Sequence, residues 1–444
     1  MRHLFKLFLL LLVISACSDE TLFREPSEEP GNGKQQLNNL QMRTMDEVLE
    51  IAANASSMVA PDGAENGLSR GLGRVVDPSC EVVPIGKAKS RSAGDDALMY
   101  VVNYADNNGF AVVSANKNAP EVLAVTEKGH FSSEENIEIE GFQIWLDETV
   151  GYLDALAEIK SNSGGQIWDI DTMKPGIRPK TVRDTVWYKR MKDQVSVAWG
   201  QGFDTIVPNA CEGYECPNQV SGCVNTAIAM VMSYLERPSS INLTYLSNSP
   251  TLTLNWTELK KYLSFKDNVL QPFPSSTYPI RTNISKLLRE IGERTHSNYT
   301  HFGETGATAA NAEIALKQLG LIDQSMTWQE GTGVEIYNWM YGKQSCIALA
   351  GGVESKNGSG HMWIVDGLLN FKIRERYYES EDGGKTWKLK DTSYSEEYYY
   401  VHQNWGWHGY CNGYYYHVDP NARKKMNIIH TFDVGRIFIP IVKS

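Results

Sequence analysis

The chain has 444 residues, which exceeds one typical hydrophobic core and predicts about two folding units. Hydrophobic residues make up 42% and charged residues 21% of the sequence, a composition that excludes wholesale disorder. The formal net charge of -11 argues against a nucleic-acid groove, which needs clustered Lys and Arg, and favours an acidic surface outside the cytoplasm.

The first residues predict an export signal of the bacterial lipoprotein type. A basic start with Lys6 precedes the apolar run from Leu7 to Ile14, which is too short to cross a membrane as a helix of the mature protein. The letters Ile14-Ser-Ala-Cys17 resemble a lipobox, so residues 1–16 would be removed and Cys17 would carry the lipid. Ordinary secretion without lipidation is the alternative. We expect an exported protein, anchored at the bacterial outer membrane or cell surface through Cys17, or secreted after processing.

Behind a polar tether, the first half of the chain predicts a small α+β unit. Met45–Ala55 has a helical pattern. Alternating hydrophobic residues at 98–104 and 110–114 flank the turn letters Asp106-Asn-Asn-Gly109, a combination that predicts a β-hairpin. The stretch 143–156 is amphipathic with a helical period and predicts a second helix.

A Gly/Ser break at 161–165 and a Lys- and Arg-containing stretch at 174–192 separate this unit from the second half of the chain. They predict an exposed junction, where proteolytic cleavage concentrates. From about Trp187 onward, helical patterns come first and strand patterns follow. The predicted helices are 223–237, 256–262, 282–294 and 308–319, and the predicted strands are 346–349, 361–368, 394–401, 413–418 and 437–441.

Helices that are segregated from an antiparallel sheet define an α+β fold. We expect two lobes in the second half, with the active site between them. The stretch 370–400, with its Asp382-Gly-Gly384 turn, predicts a β-hairpin that is inserted between the two strands of the site.

Cys223 is the candidate nucleophile because of its position. It follows Gly222 and opens a predicted helix whose apolar residues recur at helical spacing over 228–235. Unpaired backbone N–H groups and the dipole at a helix N-terminus favour an anion, which for a cysteine is the thiolate. The alternative is a buried structural cysteine, which the polar neighbours of Cys223 disfavour.

A reactive thiolate needs an imidazole, a group that orients it, and donors for the developing oxyanion. His361 lies between a Gly-containing loop and a short apolar strand pattern, so we prefer it to His402 and His408 as the imidazole. Asn404 is the candidate for the orienting group, and Trp405 could cover that contact from water. The alternative is that this Asn-Trp stretch forms a packed aromatic turn.

Four motifs occur in a fixed order along the second half. They are Trp199-Gly-Gln201, Gly222-Cys223, Gly360-His361-Met-Trp-Ile-Val-Asp-Gly367 and Asn404-Trp405-Gly-Trp407. With them goes the upstream segment Asn107-Asn-Gly-Phe-Ala-Val-Val-Ser-Ala115. In this combination the chain resembles the streptopain family of papain-like cysteine peptidases, and the upstream segment looks like the propeptide of that family.

The resemblance implies a papain-like α+β catalytic domain with a helical lobe and an antiparallel sheet lobe, preceded by an α+β propeptide domain. It implies a signal at 1–16, a tether and inhibitory propeptide at 17–189, and the peptidase at 190–444. Gln201 matches the oxyanion-hole glutamine of the family, and Trp405 matches a tryptophan that helps to position the histidine. Protein or peptide substrates and the chain's own propeptide are the expected partners. No cofactor, metal or nucleic acid is expected.

Two other classes of protein stay open at this point. A transglutaminase-like or amidase enzyme also combines a Cys-His pair with a carboxylate, and Asp366 could supply the carboxylate. However, Asp366 lies five positions after His361 on one predicted strand, so it should point to the opposite face. The other class is a catalytically silent adhesin or inhibitor on a protease scaffold, against which the presence of all the chemical groups argues.

The other cysteines are ambiguous in an exported protein, where disulfides are common. They are Cys80, Cys211, Cys216, Cys346 and Cys411. A Cys211–Cys216 disulfide is conceivable. Zinc is disfavoured because the spacing of these two cysteines and Cys223 is not that of a knuckle, and no histidine pair with ligand spacing follows.

Overall fold

One antiparallel sheet of twelve strands runs through the part of the protein that the structure describes. The structure is a computed structural model and describes residues 42–59, 83–87, 97–131, 139–162, 178–201, 220–261, 265–266, 269–270, 278–301, 304–331, 333–353, 360–395, 397–417 and 436–443. The predicted signal, the tether with Cys17, and Cys80, Cys211 and Cys216 lie outside these residues. The described residues belong to one compact unit, Met42–Ser444.

Helices and strands are numbered in chain order. The described helices are α1 (Met45–Ala55), α2 (Glu140–Asn162), α3 (Cys223–Leu235), α4 (Trp256–Leu259), α5 (Tyr278–Arg294), α6 (Ala309–Gln318) and α7 (Gly333–Tyr341). The described strands are β1 (Val83–Lys87), β2 (Ala97–Asn103), β3 (Phe110–Ser114), β4 (Val122–Thr126), β5 (Arg178–Met191), β6 (Ser240–Asn242), β7 (Thr251–Thr253), β8 (Phe265–Lys266), β9 (Val269–Leu270), β10 (Asn298–His301), β11 (Glu304–Gly306), β12 (Gln329–Glu330), β13 (Cys346–Val353), β14 (Gly360–Ser380), β15 (Lys388–Tyr394), β16 (Tyr398–Asn404), β17 (Gly413–Tyr416) and β18 (Ile437–Val442).

The large sheet joins the two halves of the chain edge to edge. Its main path runs β1-β2-β3-β4-β17-β16-β14-β13-β18-β12, and β5 and β15 both pair with β14. The two halves meet where β4 pairs with β17, with Val125 opposite Tyr414 and Thr126 opposite Gly413. The predicted propeptide and the predicted peptidase therefore share backbone hydrogen bonds.

The first half forms the predicted α+β arrangement. Strands β2 and β3 pair as the expected hairpin, with Val101 opposite Val112. Val101 and Val112 lie in a core cluster with Trp145 of α2, whereas Ala111 lies in a cluster with Val48 of α1. Because one helix covers each face of the strands, apolar residues occur at successive positions instead of strictly alternating ones.

Helix α3 is the centre of the helical part. The residues predicted to form its inner face, 228–235, are buried, but so is the rest of the helix after Cys223. It packs against α5 through Leu287 and against the sheet through Ile439, all within one core cluster. A helix that is apolar on all sides is enclosed by its neighbours, and here that fixes Cys223 relative to the sheet.

Part of the predicted junction between the halves forms a strand, which the sequence analysis did not predict. Residues 178–191 form β5, which pairs with β14 from Arg178 opposite Ser380 to Met191 opposite Leu368. Threonine, valine, tyrosine and tryptophan between the charged residues of this stretch favour a strand, and the charges on their own did not reveal it.

The α+β class is confirmed, with helices on an antiparallel sheet. The predicted insertion at 370–400 is a hairpin of the long β14 with β15. Helix α7 has no counterpart among the predicted helices, and α2 begins at Glu140, three residues before its predicted start. Among the described residues, no helix combines the length and the apolar character that crossing a membrane requires.

Candidate active site

Cys223 is the first residue of α3, and its side chain is partly exposed. The preceding Gly222 has a φ of 81°, and a Cβ on it would lie 2.6 Å from the carbonyl oxygen of Thr305. Glycine is therefore required at this turn on two grounds, its backbone conformation and the space around it. Thr226 reinforces the turn, since its amide and its hydroxyl both donate to the Gly222 carbonyl, at 3.1 and 2.9 Å.

His361 lies near the start of β14 and is 2% exposed. The sulfur of Cys223 is close enough to raise the pKa of the ring, so the two predicted partners meet. On the other side of the ring, Nε2 donates to the carbonyl oxygen of Trp405 at 3.0 Å. The indole of Trp363 stacks on the imidazole, with ring centroids 6.0 Å apart and planes 13° apart. These contacts fix the orientation of the imidazole.

The charged form of His361 is favoured. Burial opposes the charge, but the Cys223 sulfur and then the carboxylate of Glu140 outweigh it and raise the pKa of His361 to about 10. An imidazolium next to a sulfur is the charge state that a thiolate nucleophile requires.

Asn404 does not contact His361 in this arrangement. Its Nδ2 donates to the carbonyl oxygen of Val197 at 3.4 Å, and its Oδ1 accepts from the amide of Gly406 at 3.2 Å. The acceptor that contacts the His361 ring is instead the backbone carbonyl of Trp405. Asn404 thus holds the turn that presents this carbonyl.

Trp405 is completely buried. Its indole Nε1 donates to the carbonyl oxygen of Cys411 at 3.0 Å and lies 3.1 Å from the hydroxyl of Tyr415. Its ring also tilts against Trp363, with centroids 5.2 Å apart. Trp405 thus lies beside the histidine, and the role predicted for it, covering a contact between Asn404 and His361, stays a prediction.

Gln201 lies in a loop that is pinned by its backbone. Its amide donates to the carbonyl of Gly406 at 3.0 Å, and its carbonyl accepts from the amide of Ser221 at 3.0 Å. The side chain is buried, and Nε2 donates to Oε2 of Glu140 at 3.1 Å. The amide of Gln201 and the ring of His361 therefore meet at one carboxylate oxygen.

Glu140 is the site residue that sequence reasoning missed. Its Oε2 lies 3.0 Å from Nδ1 of His361, so one oxygen contacts both His361 and Gln201. Burial raises the pKa of Glu140, but the bonds to His361 and Gln201 outweigh this and bring the pKa below its usual value of 4.5. The side chain is 47% exposed, so water competes for the carboxylate.

Gly141 allows the helix that carries Glu140 to come this close. A Cβ on Gly141 would lie 2.7 Å from Cδ2 of His361 and 2.3 Å from Cε3 of Trp405. A larger residue would push α2 off the site. A glycine next to an acidic residue at the start of an amphipathic helix was the available sequence signal, and it is a weak one.

The two rival histidines have other surroundings. His402 is buried, and its Nδ1 lies 2.6 Å from Oδ1 of Asp366 and its Nε2 3.4 Å from Oε1 of Glu127. His408 packs against Gly200, on which a Cβ would lie 2.3 Å from the imidazole. The carboxylate of Asp366 therefore pairs with His402. This agrees with the expectation that Asp366 points to the face of the strand opposite His361, and Asp366 does not form a triad with Cys223 and His361.

A partly exposed thiol, a buried imidazolium and an amide donor around one point are the components of a thiol hydrolase. The class that fold and site define is thus the cysteine peptidases. The model of the peptidase C10 family matches residues 199–415, and the model of the Spi protease inhibitor matches residues 59–151. Residues 199–415 are thus a streptopain-like peptidase domain of the C10 family, with an inhibitor-like propeptide domain in front of it. The predicted resemblance is confirmed.

Individual relatives are distant. The thiol protease/hemagglutinin PrtT of Porphyromonas gingivalis is 22% identical over 339 residues, which cover 72% of this chain and 34% of that protein. Streptopain of Streptococcus pyogenes serotype M1 is 21% identical over 375 residues, which cover 76% of this chain and 78% of streptopain. The chain thus spans about a third of PrtT but most of streptopain.

Two solved structures are similar to the chain. A fragment of Prevotella intermedia prointerpain A has a TM-score of 0.44 and 19% identity, with 79% of this chain and 96% of that chain covered. Active interpain A of the same organism has a TM-score of 0.32 and 17% identity, with 56% of this chain and 94% of that chain covered.

Proposed function

We propose that the chain is the precursor of an exported cysteine endopeptidase, and that Cys223, His361 and Gln201 carry its reaction. One observation supports this above all others. The ring of His361 is buried between the sulfur of Cys223 and a carbonyl oxygen that holds the opposite nitrogen, so the imidazolium is kept in place beside the thiol.

The reaction follows from these positions. The thiolate of Cys223 attacks the carbonyl carbon of a peptide bond, and the oxygen becomes negative. The side-chain amide of Gln201 and the backbone N–H of Cys223 donate to this oxyanion. His361 gives its proton to the leaving amine, which departs and leaves an acyl group on sulfur. Neutral His361 then takes a proton from water, and the hydroxide releases the acyl group and restores the thiolate.

Asn404 and Trp405 position His361 without reacting. The carbonyl of Trp405 accepts from Nε2, and Asn404 supports the turn through Val197 and Gly406. The substrate touches neither of these groups in this mechanism, so they act on the rate only through the geometry of the imidazole.

The segment before the peptidase domain inhibits the site through Glu140. Its carboxylate oxygen occupies the point where Gln201 and His361 converge, which is where the oxyanion of a substrate would need the amide of Gln201. The carboxylate thus stands in for the developing oxyanion, and α2 covers the site from Gly141 onward. Activation requires that α2 leave.

Activation would occur by cleavage within the predicted junction, for example after Lys189. Because β5 is paired with β14 over this stretch, the strand must detach before a protease can bind it in extended form. Cleavage would release residues 190–444 from a lipid on Cys17. The lipid anchor and the export signal rest on the sequence pattern of the N-terminus.

Labelling with an epoxysuccinyl or chloromethyl-ketone inhibitor tests the nucleophile. The processed enzyme should be labelled at Cys223 and should lose its hydrolysis of an unfolded protein in step with labelling. Cys411 is the internal control, because burial raises its pKa to about 12 and keeps it a thiol. Label on Cys411 with Cys223 unmodified, or hydrolysis that survives full labelling of Cys223, would contradict the assignment.

A further inference from the structure

A second carboxylate of α2 is bound by the peptidase domain, two turns beyond Glu140. Nε of Arg436 donates to Oε1 of Glu148 at 2.9 Å, and Nη2 lies 2.7 Å from the same oxygen. The two side chains are 8% and 9% exposed. A buried ion pair needs good geometry to offset the loss of hydration, and removing one partner leaves a buried charge without compensation.

Arg436 lies one aromatic ring away from the catalytic histidine. Its guanidinium is over the indole of Trp363, 5.4 Å from the ring centroid, and the same indole also stacks on the imidazole of His361. Gly352 is opposite His361 in the pairing of β13 and β14. It leaves room for the guanidinium, since a Cβ on Gly352 would lie 3.1 Å from Nη1 of Arg436. The guanidinium is thus part of the surface that α2 covers.

The spacing of Glu140 and Glu148 along α2 gives the approximate distance between the active site and Arg436. At 1.5 Å per residue, Glu140 and Glu148 are about 12 Å apart along the helix. An extended peptide covers the same length with about three or four residues. A substrate that replaces α2 would therefore bring a side chain three or four positions from its scissile bond to Arg436.

We propose that Arg436 is a specificity residue of the processed enzyme, which binds an acidic side chain of the substrate where Glu148 binds in the precursor. The guanidinium is held by Trp363 from one side, and it offers several N–H donors in a planar fork that fits a carboxylate. Glu148 and Arg436 line a small cavity together with Trp363, Gln403 and His417. This inference rests on the proposed function, because it assumes that α2 and substrate cover the same surface.

The test is a set of matched peptides in which Glu or Gln is placed in turn at each of the four positions on either side of the scissile bond. With processed wild-type enzyme, we expect kcat/KM to favour Glu over Gln by about tenfold at one position, three or four residues from the bond. Arg436→Gln should bring this ratio close to one, and Arg436→Glu should favour Lys at the same position. Equal rates for Glu and Gln at every position with the wild-type enzyme would overturn the proposal, whether or not the variants fold.

Glu148→Gln is the matched control. After processing, this change has left with the propeptide, so the enzyme should keep the wild-type preference, whereas the excised variant propeptide should inhibit less strongly in trans. If the proposed function is wrong, the result is different from a failure of this inference. Processed protein with an unmodified Cys223 then hydrolyses none of the peptides, whereas a failure of the inference leaves hydrolysis without a preference for Glu. If the processed Glu148→Gln enzyme has a different preference, residual propeptide and not Arg436 sets the preference, and the proposal is overturned.

Discussion

Two buried histidines of the peptidase domain each face a glutamate from the preceding segment, and their surroundings differ. His361 faces Glu140, whose side chain is 47% exposed, and also the thiol of Cys223. His402 faces Glu127, whose side chain is 7% exposed, and a second carboxylate, Asp366. The first cluster is open and contains the proposed nucleophile. The second is closed, and both partners of its histidine are carboxylates.

The difference suits the first cluster to catalysis and the second to stabilising the fold. Burial opposes the charge of His402, but Asp366 and Glu127 outweigh it and raise its pKa well above the usual value. Asp366 is completely enclosed. A charge that is enclosed and paired on both sides stabilises an arrangement. A charge that is paired with one exposed carboxylate can exchange that partner for a substrate.

The largest effect should come from the open cluster. Cys223→Ala or His361→Ala should each lower kcat/KM of the processed enzyme by about 10⁴-fold or more, and the double variant should be little worse, because the two side chains act as one unit. Initial rates of peptide hydrolysis measure this. The removal of His402 should not reproduce the loss in enzyme that is still folded, and if it does, the comparison between the two histidines fails.

A substitution in the closed cluster should lower the stability of the protein. Asp366→Asn removes the charge that bonds to His402 at 2.6 Å and also accepts from the amide of Val195 at 2.9 Å. The free energy of unfolding should fall by about 3 kcal/mol, since a buried charge loses its partner. Urea unfolding of the precursor in a Cys223→Ala background gives the value without self-cleavage.

An exposed carboxylate provides the reference for that measurement. Asp391→Asn on β15 should change the free energy of unfolding by less than about 0.5 kcal/mol. If the two variants have the same stability, His402 and Asp366 do not form a stabilising pair.

A smaller effect is expected at the contact between Glu140 and His361. In uncleaved precursor, Glu140→Ala should increase the rate of labelling at Cys223 by about 30-fold, because the charged bonds to His361 and Gln201 are lost. Intact mass identifies the uncleaved molecules. Glu127→Ala is the control from the closed cluster, and it should leave the labelling rate nearly unchanged. If both variants label at the wild-type rate, Glu140 does not block the site.

The labelling rates of Glu140→Ala and of wild-type precursor should also differ in their dependence on pH. The pKa of Glu140 is below 4.5 in the folded precursor, so its contribution is present above 4.5 and is lost as the pH falls through the lowered pKa. The ratio of labelling rates between Glu140→Ala and wild type should therefore be constant near neutral pH and approach one in acid. A ratio that grows on acidification would contradict this sign.

The smallest effect should come from the turn behind His361. Asn404→Ala removes the bonds to Val197 and Gly406 but leaves the carbonyl of Trp405 in the chain, so kcat should fall by about tenfold with KM little changed. Asn404→Asp can still accept from Gly406 and should recover part of the rate. Full activity of Asn404→Ala would mean that other contacts of Trp405 are sufficient to hold the carbonyl.

Local signals predicted much of this molecule. The hairpin of β2 and β3 followed from alternation around a four-residue turn, and α3 followed from helical periodicity after Gly222. The pairing of Cys223 with His361 followed from the chemistry of a thiol at a helix start. Each of these features depends on neighbours in sequence or on one well-defined chemical requirement.

Contacts between distant segments were not predictable in the same way. Glu140 meets Gln201 and His361 only because α2 lies on the sheet at the close approach of Gly141, and a single glycine does not say which distant residues the helix will contact. The partner of His402 was equally hidden. The carbonyl of Trp405 could not be predicted as the acceptor for His361 either. Every residue has a backbone carbonyl, so the sequence does not show which one accepts the bond.

The pairing of β4 with β17 has a consequence for the released enzyme. When the first half departs, β17 loses the strand that meets it at Gly413 and Tyr414, and among the described strands it becomes the end of the sheet. A bare strand edge offers unpaired N–H and C=O groups to any extended chain. Maturation would thus trade solubility for activity, and the mature protein should form dimers or aggregates at concentrations at which the precursor stays monomeric.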